Sequence, residues 1–244
     1  MNAYYSKKGR WFLMCKVGEQ EFCVVLGADS NEWSKYCPLD MPSFFDDAVE
    51  SFSRAVSELA RGNREESLEA LSECNSAEVG KFFIEHGQQS AYFRVTNRQE
   101  IDNANRLNKK VNPSPRDPTP AMTKKVFKRD FYRCRYCSLR IITGEVFSEY
   151  SRIVGSDNFS DERENAKRNG LTLGLRGVAD HVEPYALGAI TEIDNLITAC
   201  YSCNFGKAGY TLKQLKIEDP RSRQPIDNGW RGLTEFLPAL KAIK

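Results

Sequence analysis

The chain has 244 residues, of which 41% are hydrophobic and 28% are charged, and its formal net charge is +2. This length suffices for an ordinary core in one large domain or two small ones. No apolar run approaches the roughly eighteen residues of a membrane span, and the first residues lack the apolar core of a secretory signal. We therefore expect a globular, cytoplasmic protein without membrane contact, whose eight cysteines are thiols or metal ligands rather than disulfides.

The first 111 residues carry patterns for both strands and helices. WFLMCKV and EFCVVLG flank GEQ and predict a β-hairpin, and AYFRV predicts one further strand. A first helix is predicted from apolar residues at helical spacing, namely Phe45, Val49, Phe52, Val56 and Leu59. A second helical stretch is predicted at about residues 64–85, with a break after which Ser76 caps a new helix. We expect a small α+β domain at residues 1–111.

The cysteines and the histidine of this half show no pattern of metal ligands. Cys15, Cys23, Cys37 and Cys74 lack ligand spacing, and the first two lie in apolar strands, which favours buried core thiols. His86 stands beside a glycine at the predicted end of a helix, where its charge is favourable against the helix dipole. The sequence of this half therefore discloses no chemistry.

Four prolines in NPSPRDPTP, residues 112–120, forbid a continuous helix and predict a Pro-rich linker. Residues 1–120 carry 15 basic and 18 acidic side chains, whereas residues 121–244 carry 20 and 15. The net charge of +5 after the linker favours a polyanionic partner for residues 121–244, although ordinary surface charge explains it equally well. The acidic N-terminal domain is expected to bind a protein partner or to regulate the other domain.

After the linker, Thr119 and Pro120 predict the N-cap and first turn of a helix that runs into CRYC. Two Cys-x-x-Cys pairs follow, at Cys134 and Cys137 and at Cys200 and Cys203. Two residues between thiolates allow one tight turn to place both sulfurs on a tetrahedral ion. Together the pairs predict a closed, structural Zn²⁺ site. A redox-active pair is the alternative.

A second group of polar residues lies between and beside these cysteines. LTLGLRGVADHV predicts a strand that ends in Asp180 and His181, DNLITAC predicts a short return strand, and NFGKAG begins a helix. This order brings Asp180, His181, Asn195 and Asn204 together. One carboxylate and one amide oxygen suit Mg²⁺, and a neutral imidazole beside them can deprotonate water. The set predicts phosphodiester hydrolysis with one metal ion.

VFKRDFYRCRYC, followed by ADHVEPYALGAITEIDNLITACYSCNFGKAG, resembles an HNH endonuclease of the ββα-metal class with a four-cysteine zinc site. The resemblance covers about residues 120–215. It implies an α+β protein whose C-terminal ββα-metal nuclease domain, at residues 121–244, follows the small N-terminal α+β domain. It also implies a nuclease that hydrolyses DNA with Mg²⁺ or Mn²⁺.

By this resemblance, His181 is the general base, and Asp180 and Asn204 are the ligands of the catalytic divalent ion. Asn195 braces the loop and orients the histidine. Lys207 falls where the family often has a lysine, which suggests a contact with substrate phosphate. Apart from the resemblance, Arg221 and Arg223 are candidates for phosphate contacts, although a solvated basic edge explains them about as well.

The nuclease domain departs from the compact family pattern by an insertion at about residues 145–176 and by a C-terminal extension. We expect the charged insertion to be a mobile surface excursion rather than a substrate-contacting loop. One active site cuts one strand, so a double-strand break requires a homodimer or two events. A restriction or anti-phage (phage defence) system would suit such a chain. The alternative is a zinc-stabilised nucleic-acid-binding module that does not cleave.

Overall fold

The computed structural model of the protein describes residues 35–88 and 115–243, together with the backbone of three strands in the first 25 residues. These strands are β1 (Ala3–Lys7), β2 (Arg10–Val17) and β3 (Gln20–Val25), which form an antiparallel sheet in that order. The predicted hairpin is confirmed as β2 and β3, and β1 adds a strand that was not predicted. The strand predicted for AYFRV, at residues 91–95, lies outside the described residues.

Three helices follow, α1 (Phe44–Ala60), α2 (Arg64–Ser72) and α3 (Ser76–Phe82), and α3 continues into a π-helical turn (Phe83–Gln88). All five apolar residues that predicted α1 are buried on one face. Beyond α1, Gly62 has a φ of 91°, and Asn75, at φ 50°, separates α2 from α3 in the left-handed region. The break is therefore where it was predicted, but Asn75 is the N-cap and Ser76 is the first helical residue.

The remaining elements are α4 (Pro120–Arg129), α5 (Gly144–Val154), α6 (Gly170–Leu175), β4 (Gly177–His181), β5 (Leu196–Cys200), α7 (Tyr201–Lys207), α8 (Leu212–Leu215) and α9 (Leu237–Ala242). The predicted start of α4 is confirmed, because the Thr119 hydroxyl accepts a hydrogen bond from the amide of Met122 at 3.2 Å.

The strands β4 and β5 pair in an antiparallel hairpin that leads directly into a helix. His181 lies opposite Leu196 at one end, and Gly177 lies opposite Cys200 at the other. Because α7 begins at the residue after β5, the chain forms a ββα unit. The mixed fold with a C-terminal ββα unit is thus as predicted.

The strand predicted to begin at LTLGL is wrong for its first half, which forms the helix α6. The Asn169 side chain caps this helix by accepting from the amide of Leu171 at 2.9 Å. Glycines then allow close packing, since a Cβ on Gly170 would stand 1.7 Å from the carbonyl oxygen of Ser76 in α3. A capped helical turn with glycine contacts therefore prevails over the β-like composition.

The expectation that residues 145–176 form a mobile surface excursion is also wrong. Phe147 and Tyr150 of α5 are fully buried, as is Phe159 in the connection to α6. Their rings surround Phe52 of α1 at centroid distances of 5.2, 5.0 and 5.4 Å. The charged residues of this segment alternate with apolar residues whose side chains are buried. The insertion therefore contributes to the core.

Within the described residues, one hydrophobic cluster includes side chains from residues 39–82 and from residues 127–240. The helices α1 to α3 therefore pack into the same core as the ββα unit. The predicted boundary at residues 112–120 remains a prediction, since residues 89–114 lie outside the described part. No helix of that part is long and apolar enough to cross a membrane.

Candidate active site and metal centre

The four cysteines of the two Cys-x-x-Cys pairs form a cluster. The sulfurs of Cys134, Cys137, Cys200 and Cys203 all lie within 4.8 Å of one another, and Cys137 and Cys200 are 3.8 Å apart. A tetrahedral zinc with Zn–S bonds of about 2.3 Å places its sulfurs about 3.8 Å apart, so the cluster has the dimensions of a zinc site. Cys200 is also the N-cap of α7. The cluster could therefore hold zinc, which would fix the start of α7 against the turn before α5.

A fifth cysteine, which the spacing of the sequence did not predict, lies against this cluster. The Sγ atom of Cys37 is 3.7 Å from that of Cys203. Cys37 precedes both pairs by more than ninety residues, and no local pattern around it indicates a ligand. Only the tertiary packing of residues 35–41 on α7 brings it to this place.

His181 ends β4 and is half-buried. Its Nε2 atom lies 2.9 Å from the hydroxyl oxygen of Thr191, and that hydroxyl donates to the carbonyl oxygen of Arg116 at 3.1 Å. Because the single hydroxyl proton of Thr191 is used by Arg116, its oxygen accepts from Nε2–H of the histidine. This assigns the tautomer and leaves the lone pair on Nδ1, which has no hydrogen bond within the described part of the chain.

The electrostatic surroundings keep the imidazole neutral. Burial, followed by the positive charges of Lys207 and Arg116, lowers the pKa of His181, and Asp117 opposes these effects. Since the ordinary pKa of histidine is about 6.5, the lowered value makes the neutral form dominant near pH 7. His181 therefore has the protonation state and the free nitrogen of a general base.

Asn195 lies in a 3₁₀ turn (Ile193–Asn195) directly before β5 and is buried. Its side-chain oxygen accepts from the amide of Glu183 at 2.8 Å, and its Nδ2 donates to the carbonyl oxygens of Glu183 and Ile190 at 3.0 and 3.2 Å. One side chain thus closes the loop that joins β4 to β5. Arg129 holds the same turn by donating to the carbonyl oxygen of Ile193 at 3.0 Å.

Asp180 directly precedes His181 on β4 and is buried. Its Oδ2 accepts from the Tyr136 hydroxyl at 2.8 Å and lies 3.7 Å from the ammonium of Lys207. Burial raises the pKa of Asp180 to about 6, although Lys207 and Tyr136 lower it. The raised pKa indicates a carboxylate whose negative charge is incompletely compensated by these two partners.

Asn204 lies on α7 one turn before Lys207, and residues three apart share one face of a helix. Since Lys207 meets Asp180, this face is the one turned towards β4. The Asn204 side chain forms no hydrogen bond within the described residues and is half-buried. A carboxylate with unmet charge and a free amide oxygen form a donor set suited to a hard divalent cation such as Mg²⁺.

The three basic residues considered for phosphate contacts have different surroundings. Lys207 is buried at 1% exposure and faces Asp180. Arg221 is bound by the carboxylate of Asp219, with its Nη2 at 2.6 Å from Oδ2. The guanidinium of Arg223 lies 4.6 Å from the ring centroid of Tyr36. All three are thus engaged within the protein.

Three residues that contribute to the site, Thr191, Tyr136 and Arg116, were not predicted. Tyr136 stands inside CRYC and Thr191 precedes Asn195 by four residues, so both lie within motifs that were recognised for other reasons. Their roles depend on hydrogen bonds that join separate segments. Only the fold reveals such contacts.

Comparison with known families agrees with this geometry. Residues 176–208 match the family model described as HNH endonuclease. The matched segment contains β4, the loop closed by Asn195, β5 and α7, and it includes His181 and Asn204. No curated protein and no solved structure matches the chain. The resemblance is therefore confirmed for this segment, and it supports a nuclease-type function that depends on metal and acts on nucleic acid.

Proposed function

Because residues 176–208 form an HNH endonuclease segment, we propose that the protein is a metal-dependent endonuclease that hydrolyses phosphodiester bonds of DNA. The observation that carries this proposal is the contact of His181 Nε2 with the Thr191 hydroxyl at 2.9 Å, in surroundings that lower the pKa of the imidazole. An imidazole fixed in this way can accept a proton from a water molecule that attacks phosphorus.

Hydrogen bonds of two residues, Thr191 and Asn195, position the His181 side chain. Thr191 fixes the tautomer and the ring plane by its hydrogen bond to Nε2. Asn195 fixes the loop that carries Thr191 by bonding Glu183 and Ile190 at its two ends. The base is thus held by a short network rather than by a flexible loop, which keeps its nitrogen in place without reorganisation during the reaction.

Asp180 and Asn204 are the residues that we propose as ligands of the catalytic Mg²⁺ or Mn²⁺. A divalent ion bound there would stabilise the negative charge that develops on the phosphate and on the leaving oxygen. Tyr136 holds Asp180 in one orientation through its 2.8 Å hydrogen bond. The buried ammonium of Lys207 adds positive charge beside the carboxylate, and we assign it to this electrostatic role rather than to contact with the phosphate.

Basic side chains on α4 support a nucleic-acid substrate. The helix packs against β4 and β5, the two strands of the ββα unit. Lysine ammonium groups on this helix can bind phosphates along a nucleic-acid backbone. The exposed members are Lys124, Lys125 and Lys128. Arg221 and Arg223 remain candidates for contacts with the DNA backbone. DNA would have to replace the ion pair of Arg221 with Asp219 and the contact of Arg223 with the Tyr36 ring.

The role proposed for the N-terminal residues is binding of a protein partner, as in a restriction or phage-defence system. Since α1 to α3 belong to the shared core, we assign the partner contact to the sheet of β1, β2 and β3. Deletion of residues 1–34 should abolish partner capture while leaving nicking of DNA intact. Unchanged capture by the shortened protein would contradict this role.

The nuclease proposal is tested by cleavage of supercoiled plasmid with Mg²⁺ or Mn²⁺, with EDTA as the metal-free control. We expect metal-dependent nicking that is lost in His181→Ala. His86→Ala is the matched control, because His86 is exposed and carries the other imidazole of the chain. Folded protein that binds DNA but never nicks it would instead support the non-cleaving binding module.

A further inference from the structure

The thiol of Cys37 occupies a position that core packing alone does not require. Its Sγ lies 3.7 Å from that of Cys203. By contrast, the buried thiol of Cys74, which lies just beyond the end of α2, donates to the carbonyl oxygen of Ala70 in that helix. Cys37 thus contacts a sulfur of the cluster, whereas the hydrogen bond of Cys74 goes to the backbone.

The distance has a specific meaning at a zinc centre. Neighbouring sulfurs on a tetrahedral zinc are about 3.8 Å apart, given Zn–S bonds of about 2.3 Å. The separation of Cys37 from Cys203 equals this edge within 0.1 Å, as does the 3.8 Å between Cys137 and Cys200. Cys37 therefore stands one ligand spacing from a member of the four-cysteine cluster.

The backbone around Cys37 is fixed from two directions. The carbonyl oxygen of Lys35 accepts from the amide of Glu218 at 2.9 Å. On the other side, Leu39 is buried against Gly206 of α7, where a Cβ would stand 2.7 Å from the leucine side chain. Because α7 also carries Cys203, the packing of Leu39 on this helix fixes the position of Cys37 relative to the Cys203 sulfur.

We propose that Cys37 is a reserve ligand of the zinc centre. While the four paired cysteines coordinate, its S–H donates a hydrogen bond to the Cys203 thiolate. When Cys203 leaves, the Zn–S bond of Cys203 breaks, a Zn–S bond to Cys37 forms, and the Cys37 proton passes to the Cys203 sulfur. The exchange keeps four thiolates on the metal, changes no oxidation state and releases no proton to solvent.

In this exchange, one zinc ion would be bound both by Cys37 and by cysteines that lie about a hundred residues or more later in the sequence. The segment at residues 35–41 would hold the ion when Cys203 alone dissociates, so zinc would remain in the protein while the Zn–S bond of Cys203 is broken. This gives residues before α1 a direct role in retaining the metal.

The test compares Cys203→Ala with the double variant Cys37→Ala/Cys203→Ala, using zinc content and the thiolate-to-metal charge-transfer band of the Co²⁺-substituted proteins. We expect Cys203→Ala to bind one metal ion per chain with the band intensity of four thiolates. The double variant should show three thiolates and release metal at least tenfold faster. Cys74→Ala/Cys203→Ala is the matched control and should behave like Cys203→Ala. Identical bands and release rates in all three would overturn the proposal.

A second measurement decides the matter if Cys203→Ala does not fold. The full-length protein and Cys37→Ala, both loaded with zinc, are mixed with an excess of a chromophoric chelator. We expect zinc transfer to be several-fold faster from Cys37→Ala, because an opened site has no sulfur to recapture the ion. Equal transfer rates would overturn the proposal. Neither readout depends on nuclease activity.

Discussion

Replacing Phe52 of α1 by alanine tests whether the helices before residue 83 and the ββα unit unfold together. Phe52 is fully buried and its ring contacts those of Phe147, Tyr150 and Phe159. Removing a buried phenylalanine costs about 3–5 kcal/mol. At about 2–4 °C per kcal/mol for a chain of this size, a loss of about 4 kcal/mol lowers Tm by about 8–16 °C.

Thermal unfolding would be followed by circular dichroism and, in parallel, by release of zinc to a chelator. Because one core contains residues from both segments, we expect Phe52→Ala to lower both midpoints by the same amount. Ile226→Ala is the control, since Ile226 is an exposed hydrophobic residue and its loss should change stability by less than about 0.5 kcal/mol. If zinc release kept its original midpoint while the helical signal moved, the segments would be independent domains and the argument from the shared core would fail.

Three further substitutions test the site and its support. Thr191→Val should lower the nicking rate by about 10- to 100-fold at unchanged DNA affinity, because the His181 tautomer is no longer fixed, and Thr191→Ser should restore it. Asn195→Ala should lower the free energy of unfolding in urea by about 1–3 kcal/mol, since buried backbone groups lose their partners. Gly170→Ala should cost about 1–3 kcal/mol by overpacking against α3, whereas Gly209→Ala, which meets nothing within 4 Å, should be neutral in the same urea titration. Equal stability of the two alanine variants would contradict the close contact.

The parts of the fold that the sequence predicted are those determined by local patterns. Apolar spacing located α1 because its buried face repeats every three or four residues. The same reasoning failed for α6, whose six residues are all apolar or small and show no period that separates a buried helix from a strand. Asn169 before it is the capping residue, and this local signal is present in the sequence.

The insertion shows a second limit. Its charged residues suggested solvent exposure, yet Phe147, Tyr150 and Phe159 are the residues that decide its position. Apolar residues that fill a core built mainly by another segment cannot be recognised without the partner segment. Here that partner is α1, about a hundred residues earlier in the sequence.

The candidate site was predicted in its residue types but not in its connections. The order of Asp180, His181, Asn195 and Asn204 along a hairpin and helix was sufficient to propose that they meet. The hydrogen bonds of Thr191 and Tyr136, and the contact of Cys37 with Cys203, join segments far apart in sequence. These contacts depend on tertiary packing, so neither spacing nor composition predicts them.

The short helix α7 connects the four-cysteine cluster to the candidate catalytic site. Cys200 caps it and Cys203 lies in its first turn, while Asn204 follows at once and Lys207 ends it. An isolated helix of seven residues is unstable in water, so the position of its last turn depends on what holds its first. Zinc bound by Cys200 and Cys203 would fix that first turn, and the helical rise would then set Asn204 and Lys207 against Asp180. A metal with no open coordination position would in this way determine the geometry of a site whose chemistry it does not perform.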